Sequence, residues 1–255
     1  MEGPDANAPL EQRIAELTAE LEDAHRELQA LCYSVSHDLR APLRAIDGFS
    51  ALLDERIGAR LDAEDADFLQ RIRRAADRMS ALIDGMLQLA RLSTQTLARS
   101  NVDLGALARE AADELQRAAP ERSAQWSIAS GLWVEADAAL MRTVMQSLLD
   151  NAWKFTGRVP SPRIDVGVER INGEPVFHVR DNGVGFDMSF SDRLFDTFHR
   201  MHAEHEFPGT GIGLATVKRI IARHGGKIWV QARPGQGAVF YFTLPGVPAG
   251  PGNAT

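Results

Sequence analysis

The stretch Ser36-His37-Asp38-Leu39-Arg40-Ala41-Pro42-Leu43 sets a histidine, an adjacent carboxylate and a proline inside one long helical pattern. Proline removes the hydrogen bond to the carbonyl four residues back, here that of Asp38, and bends the rod within a turn of the imidazole. Neutral imidazole is a nucleophile, and a carboxylate can fix its tautomer or take its proton. Adjacent helical residues lie about 100° apart, so Asp38 reaches His37 only from the flank. A purely structural histidine explains the octapeptide equally well, and the rest of the chain decides between the two.

Upstream, Ile14, Leu21, Leu28 and Val35 recur every seventh position, with Leu17, Ala24 and Leu31 three residues after the first three. Alternating steps of three and four are the coiled-coil seam. The next seam position is Asp38, so the apolar line fails where the chemistry begins. A lone seam has nothing to bury against in a monomer, which predicts a parallel dimer; the alternative is a helix packed on its own domain. Downstream, Leu43, Ile46, Phe49, Leu52, Leu53 and Ile57 carry the helix to a break at Gly58. A second helix is expected from Asp62, a candidate N-cap, to Leu97, with Phe68, Ile72, Ala75, Met79, Ile83, Met86 and Ala90 as its core stripe. Two such hairpins make a dimeric four-helix bundle with His37 on its outside.

Composition narrows the classes. A formal net charge of −7 argues against a nucleic-acid binder and requires local cations or a metal at any anionic ligand. Cys32 is the only cysteine, which predicts a reducing cytosol and a small apolar filler rather than a redox sensor. The acidic N-terminus does not read as a signal peptide, and the absence of a long apolar run predicts no membrane insertion.

Ser100 to Asp103 is expected to be a hinge, beyond which helix and strand patterns mix. Helices are expected at Leu104 to Gln116, Ala138 to Phe155 and Ile212 to His224. Strands are expected at Gln125 to Ala129, Trp133 to Glu135, Arg163 to Ile171, Pro175 to Asp181, Lys227 to Ala232 and Ala238 to Leu244. Asn172-Gly173 signals a hairpin. The fold class is α+β: antiparallel strands with helices on one face. The expected domains are a coiled-coil signalling helix (1–30), a dimerisation and phosphotransfer hairpin (31–100), a sandwich (101–246) and a disordered tail (247–255).

Several residues in this half can carry chemistry. Asp181 ends a strand and is followed by Gly183 and Gly185; its carboxylate can accept from an exocyclic amine such as that of adenine, and the bland reading is a solvated turn. Gly209-Thr210-Gly211-Ile212-Gly213-Leu214 opens a helix, where free N–H groups and the dipole favour an anion. Leu214 stands where a dinucleotide fingerprint needs glycine and no strand precedes the loop, so a Rossmann site is disfavoured; a Walker lysine is also missing. Asn151 and Lys154 lie one turn apart, an amide suited to Mg²⁺ and an ammonium suited to phosphate, while Asp150 is expected to face solvent. Trp153 and Phe155 read as core. His199, His202 and His205 do not keep to one face and have no cysteine near, which disfavours zinc.

Together these pieces resemble the transmitter region of bacterial sensor histidine kinases, similar to those of phytochrome-type and related cytoplasmic sensors, over about residues 30–245. The His37 octapeptide is similar to the family's H box, Gln146 to Thr156 to its N box and Asp181 to Gly185 to its first glycine box. Arg193 to Arg200, with Phe195 and Phe198, is similar to the F box, and Gly209 to Ala215 to the second glycine box. The resemblance implies an ATP-binding sandwich of the gyrase type, with Met188 to Phe207 as its lid. It implies that His37 is phosphorylated from ATP with Asp38 as acid or base, that Asn151 holds Mg²⁺, that Lys154 meets the phosphates and that Asp181 meets the adenine. The phosphoryl group would pass to an aspartate of a response regulator, and an upstream sensor partner could drive the coiled coil. Two departures stand out. Ser147 replaces an asparagine common one turn before the Mg²⁺ ligand, and Ala41 replaces the Thr or Asn that orients water in bifunctional members, which predicts weak or absent phosphatase activity. The competing readings are a non-catalytic scaffold that docks a receiver domain, supported by Ser147, and a clamp ATPase, which leaves the His37 octapeptide unexplained.

Overall fold

The computed structural model describes residues 8–92, 95–197, 199, 209 and 211–245. The chain divides into two compact units between Gln95 and Thr96.

The first unit is a helical hairpin. Helix α1 runs from Ala8 to Ile57 with Pro42 inside it, a 3₁₀ turn covers Gly58–Arg60, and α2 spans Ala63–Leu92. Asp62 starts α2 as expected: its Oδ1 accepts from the amides of Glu64 (3.0 Å) and Asp65 (2.8 Å). The hairpin closes on Leu43, Ala76 and Ile83. Arg40–Asp84 (2.7 Å) and Arg73–Asp54 (2.9 Å) tie its flanks. The helix α2 ends sooner than its periodicity predicts. The stripe expected to be core also divides: Ile83 is buried, whereas Phe68, Ile72 and Met79 are about half exposed in the single chain. Cys32 is only partly buried.

The second unit holds a five-stranded sheet. Its strands are β2 (Gln125–Ile128), β4 (Arg163–Ile171), β5 (Glu174–Asp181), β6 (Ile228–Ala232) and β7 (Ala238–Phe242), in the order β2-β4-β5-β7-β6. Helices α3 (Leu104–Ala118), α4 (Ala138–Phe155) and α5 (Gly213–Arg223) supply the second layer. The core between them contains Val144, Leu148, Leu149, Ile164, Val166, Val179, Ile220, Ile221 and Phe242. Asn172 and Gly173 both take positive φ (53° and 84°), the turn that matches strand twist, and set the β4–β5 register.

Two expectations are corrected. Ser100 to Asp103 is not a hinge: it lies in β1 (Arg99–Asp103), which pairs antiparallel with β3 (Trp133–Asp137) as a separate two-stranded sheet. Val102 is buried there opposite Val134, and that burial outweighs the polar composition of the segment. Nor is the main sheet wholly antiparallel, because β2 runs parallel to β4. A parallel pair needs a crossover of a dozen or more residues, and β3 with α4 provides it. Thr210, Phe198, the second part of the expected lid (200–207, with Arg200, His202 and His205) and the tail 247–255 lie outside the described residues.

Candidate active site

In the hairpin, His37 and Asp38 stand on the exposed side of α1, with side-chain exposures of 75% and 76%. Imidazole Nδ1 lies 3.3 Å from Asp38 Oδ1. An ionised carboxylate only accepts, so this contact places the proton on Nδ1 and the free lone pair on Nε2. Ser36 beside it is buried. Pro42 leaves the Asp38 carbonyl without its helical donor, one residue from the imidazole.

In the second unit the site is built on α4. Asp137 caps its start, accepting from the amides of Ala139 and Leu140, both at 3.1 Å. At its other end Thr156 Oγ1 donates to Ala152 O (2.7 Å) and accepts from Arg122 Nη2 (2.8 Å). The same guanidinium donates to Trp153 O and packs 3.9 Å from the centre of the Trp153 ring, which also stacks on Trp126 with ring centres 5.8 Å apart. Trp153 is half-buried against a cation and a second indole rather than core, and Phe155 is half-buried too. These contacts hold the turn that carries Asn151 and Lys154, both half-buried.

Ser147, Asn151 and Lys154 follow at steps of four and three and share a face. That face meets the glycine segment that opens α5: a Cβ on Gly213 would lie 3.7 Å from Ser147 Oγ, and one on Gly209 would lie 3.3 Å from Lys154 Nζ. Gly211 has φ +73°, and Leu214 is half-buried in the first turn of α5. An ammonium beside a helix N-terminus makes the local positive field that an acidic chain needs to hold an anion.

Asp181 closes the site at the end of β5. It is 6% exposed, and its Oδ1 accepts from Gly183 N at 2.8 Å. Burial pushes its carboxyl up to about 6, against the opposing pull of the Gly183 and Ala238 amides. Asp150 is exposed as expected but linked to Gln146 Nε2 (3.0 Å), and desolvation raises its carboxyl as well. Gly183 packs on the end of α4, where a Cβ would sit 2.6 Å from Phe155 O, and Val184 N donates to that same oxygen at 3.2 Å.

Sequence reasoning missed two parts of this site. Arg122 and Trp126 act on α4 from about thirty residues away, and nothing in their local pattern announces it. The Gly235-Gln236-Gly237 turn is the other: Gly235 N donates to Val184 O (2.7 Å), and Gly237 packs on the backbone of Asp181. A second Gly-x-Gly between two strands was the available signal. An open concavity of about 910 Å³ lies over the outer sheet face, between Arg163, Asp165, Arg180 and Gln231, and borders the candidate site at Asp181, Asn182, Met188, Gln236 and Gly237. Among the described residues no cluster of three or more His, Cys, Asp and Glu is arranged to hold a metal; His202 and His205 lie outside them. No described helix is long and apolar enough to cross a membrane.

Residues 12–95 match the His Kinase A (phospho-acceptor) domain, and residues 136–248 match the histidine kinase-, DNA gyrase B-, and HSP90-like ATPase family. Cyanobacterial phytochrome A of Nostoc sp. is 37% identical over 232 residues, which cover 91% of this chain and 30% of that protein. The methanogenesis regulatory histidine kinase FilI of Methanothrix harundinacea is 35% identical over 243 residues, 94% of this chain and 26% of that protein. Full-length ShkA in complex with AMPPNP superposes with a TM-score of 0.62 at 29% identity, covering 86% of this chain and 46% of that one. The chain thus spans less than a third of these two curated relatives. It belongs to the sensor histidine kinases and carries their transmitter region, a phospho-acceptor helical hairpin followed by an ATPase-type α/β sandwich.

Proposed function

We propose that the chain is an ATP-dependent protein histidine kinase that phosphorylates His37 and hands the phosphoryl group to an aspartate of a response regulator. The observation that carries this reading is the His37 imidazole itself: it is exposed, and its Nδ1 is engaged by Asp38 at 3.3 Å, which leaves Nε2 as the nucleophile. ATP suits the second unit. Asp181 offers an acceptor to the adenine amine, Lys154 and the glycine-rich segment that opens α5 (Gly209, Gly211, Gly213 and Leu214) offer donors to the phosphates, and Gly183 and Gly185 let the turn after β5 pack on the Phe155 and Arg233 carbonyls. ShkA, which resembles this chain, binds AMPPNP.

In the reaction His37 Nε2 forms a bond to the γ-phosphorus while the bond from that phosphorus to the bridging oxygen of ADP breaks. Asp38 holds the Nδ1 proton and stabilises the imidazolium that develops. The half-buried Asn151 amide is a hard oxygen ligand suited to Mg²⁺, which would neutralise the charge on the β- and γ-phosphate oxygens. Ser147 keeps a hydrogen-bonding group toward α5, so activity survives the loss of asparagine there. Ala41 has no group to orient a water for regulator dephosphorylation, which makes phosphatase activity weak or absent.

The exposed apolar faces of α1 and α2 support a homodimer through the bundle. On this reading the first part of α1, to residue 30, is the input helix for a sensor partner, the rest of the hairpin to Gln95 serves dimerisation and phosphotransfer, and the second unit from Thr96 binds ATP, in a cytoplasmic setting without nucleic acid. The test is incorporation of label from γ-labelled ATP. Acid-labile label on the wild type that disappears in His37→Ala is expected, and label that survives the substitution refutes the assignment. A thermal-shift titration separates the scaffold reading, because only a nucleotide-binding protein gains stability from Mg-ATP.

A further inference from the structure

His224 closes the second unit from the side opposite the glycine segment. It is 1% exposed and sits at the C-terminal cap of α5. Its Nδ1 lies 2.8 Å from Ile220 O, one turn back in the same helix, and its Nε2 lies 3.1 Å from the amide of Asp137. A carbonyl only accepts and a backbone amide only donates, so the two contacts together require a neutral ring with the proton on Nδ1. The charged neighbours are Arg99 on β1, Asp137 at the end of β3 and Arg223 on α5, and burial, the largest influence, keeps the ring below the ordinary histidine range.

The partner residue is not incidental. Asp137 begins α4, caps it through Oδ1, and takes the amide of Ala98 on Oδ2 at 3.0 Å. The helices α4 and α5 therefore meet twice. Ser147 faces Gly213 where α5 begins, leaving room for no more than a methyl group between them, and Asp137 is gripped by His224 where α5 ends. Eleven residues of α5 separate the two places, about 16 Å along the helix.

We infer that His224 is a positioning residue for nucleotide binding: by bridging the end of α5 to the start of α4 it sets the glycine segment against the Ser147-Asn151-Lys154 face. The inference rests on the kinase reading of that site. A bridge that favours the binding-competent spacing raises affinity for the nucleotide, and the nucleotide must then strengthen the bridge by the same factor. The effect therefore has to appear at the Asp137 and Ala98 amides, on the far side of the unit from the ligand.

Substitution separates the two ring nitrogens. Gln reaches the position of Nε2 and offers an acceptor there, whereas Asn reaches only the position of Nδ1. On the whole chain, calorimetric titration with Mg-AMPPNP is expected to give about tenfold weaker binding for His224→Asn, and affinity near wild type for His224→Gln. Hydrogen exchange in the wild type, with and without Mg-AMPPNP, is expected to slow at Asp137 and Ala98 by a similar factor. The exchange measurement needs no substitution, so it decides the question even where His224→Asn fails to fold. Equal affinity of His224→Asn and wild type, equal weakening by Asn and Gln, or unchanged exchange at Asp137 would each overturn the inference and leave the kinase reading intact. Failure of the wild type to bind Mg-AMPPNP would overturn the kinase reading, and the inference with it.

Discussion

On the proposed function, Asp181 gives up stability for ligand binding. Its carboxyl is raised from 3.8 to about 6, chiefly by burial. A group raised by folding contributes its stability at low pH and loses it as pH rises from 3.8 through about 6. At neutral pH the ionised side chain therefore costs the fold on the order of 3 kcal/mol, at 1.36 kcal/mol per tenfold change in proton affinity. Asn keeps an oxygen for the Gly183 amide and carries no charge. Asp181→Asn is expected to stabilise the nucleotide-free protein by ~1–3 kcal/mol in denaturant titrations and to abolish nucleotide binding. On the proposed function the adenine amine donates to the ionised carboxylate, so wild-type affinity is expected to hold above pH 6 and to decline as pH falls through about 6. Calorimetry between pH 5 and 8 reads this directly; an affinity that rises on acidification contradicts the assigned role. The type and place of Asp181 were legible before the fold was known, because a strand pattern ended in Asp followed by Gly-x-Gly. Its proton affinity was not, since burial depends on β7 and the Gly237 turn, more than fifty residues away.

At the scale of elements, the loops around the site are held by close backbone approach. Gly237 has φ +82°, and a Cβ there would stand 2.0 Å from Asp181 O. Gly237→Ala is expected to cost at least ~2 kcal/mol, read as a lowered urea midpoint, with nucleotide affinity falling in parallel. A variant with wild-type midpoint would show that the turn has room the backbone does not suggest. At the other end of the site, Arg122→Ala removes a donor to Thr156 and the cation over Trp153. It is expected to loosen the last turn of α4, costing roughly 1–2 kcal/mol and weakening Mg-ATP binding several-fold, with Arg122→Lys an incomplete rescue because a lysine cannot both stack and donate twice. Helices and strands were read within a few residues of their true ends where periodicity was sustained, as at α4 and β4. β1 was misread because a five-residue polar strand with one buried valine has no period to detect.

For the whole molecule, the apolar surface of the hairpin is decisive. Phe49 is 69% exposed, and Ile46, Leu52, Leu53, Phe68, Ile72 and Met79 are about half exposed. So much exposed apolar surface along two helices is characteristic of an interface between chains. Ile72→Glu is expected to shift the sedimentation profile from dimer to monomer and to leave nucleotide binding by the second unit within about twofold. A wild-type chain that sediments as a monomer would refute the dimer. Ala41→Thr is expected to add measurable dephosphorylation of a cognate regulator without changing the labelling of His37.

The sequence alone determined what depends on local order. The heptads, the proline after His37, the Asn-Gly turn and the glycine runs impose a period or a backbone conformation that few neighbours can override. Only tertiary structure decided what depends on residues distant along the chain: the parallel pairing of β2 with β4, the grip of Arg122 on α4, the bridge from His224 to Asp137, and the burial that makes ionising Asp181 costly. Burial and hydrogen-bond partnership arise when remote segments pack together, and no window of sequence contains both sides of such a contact.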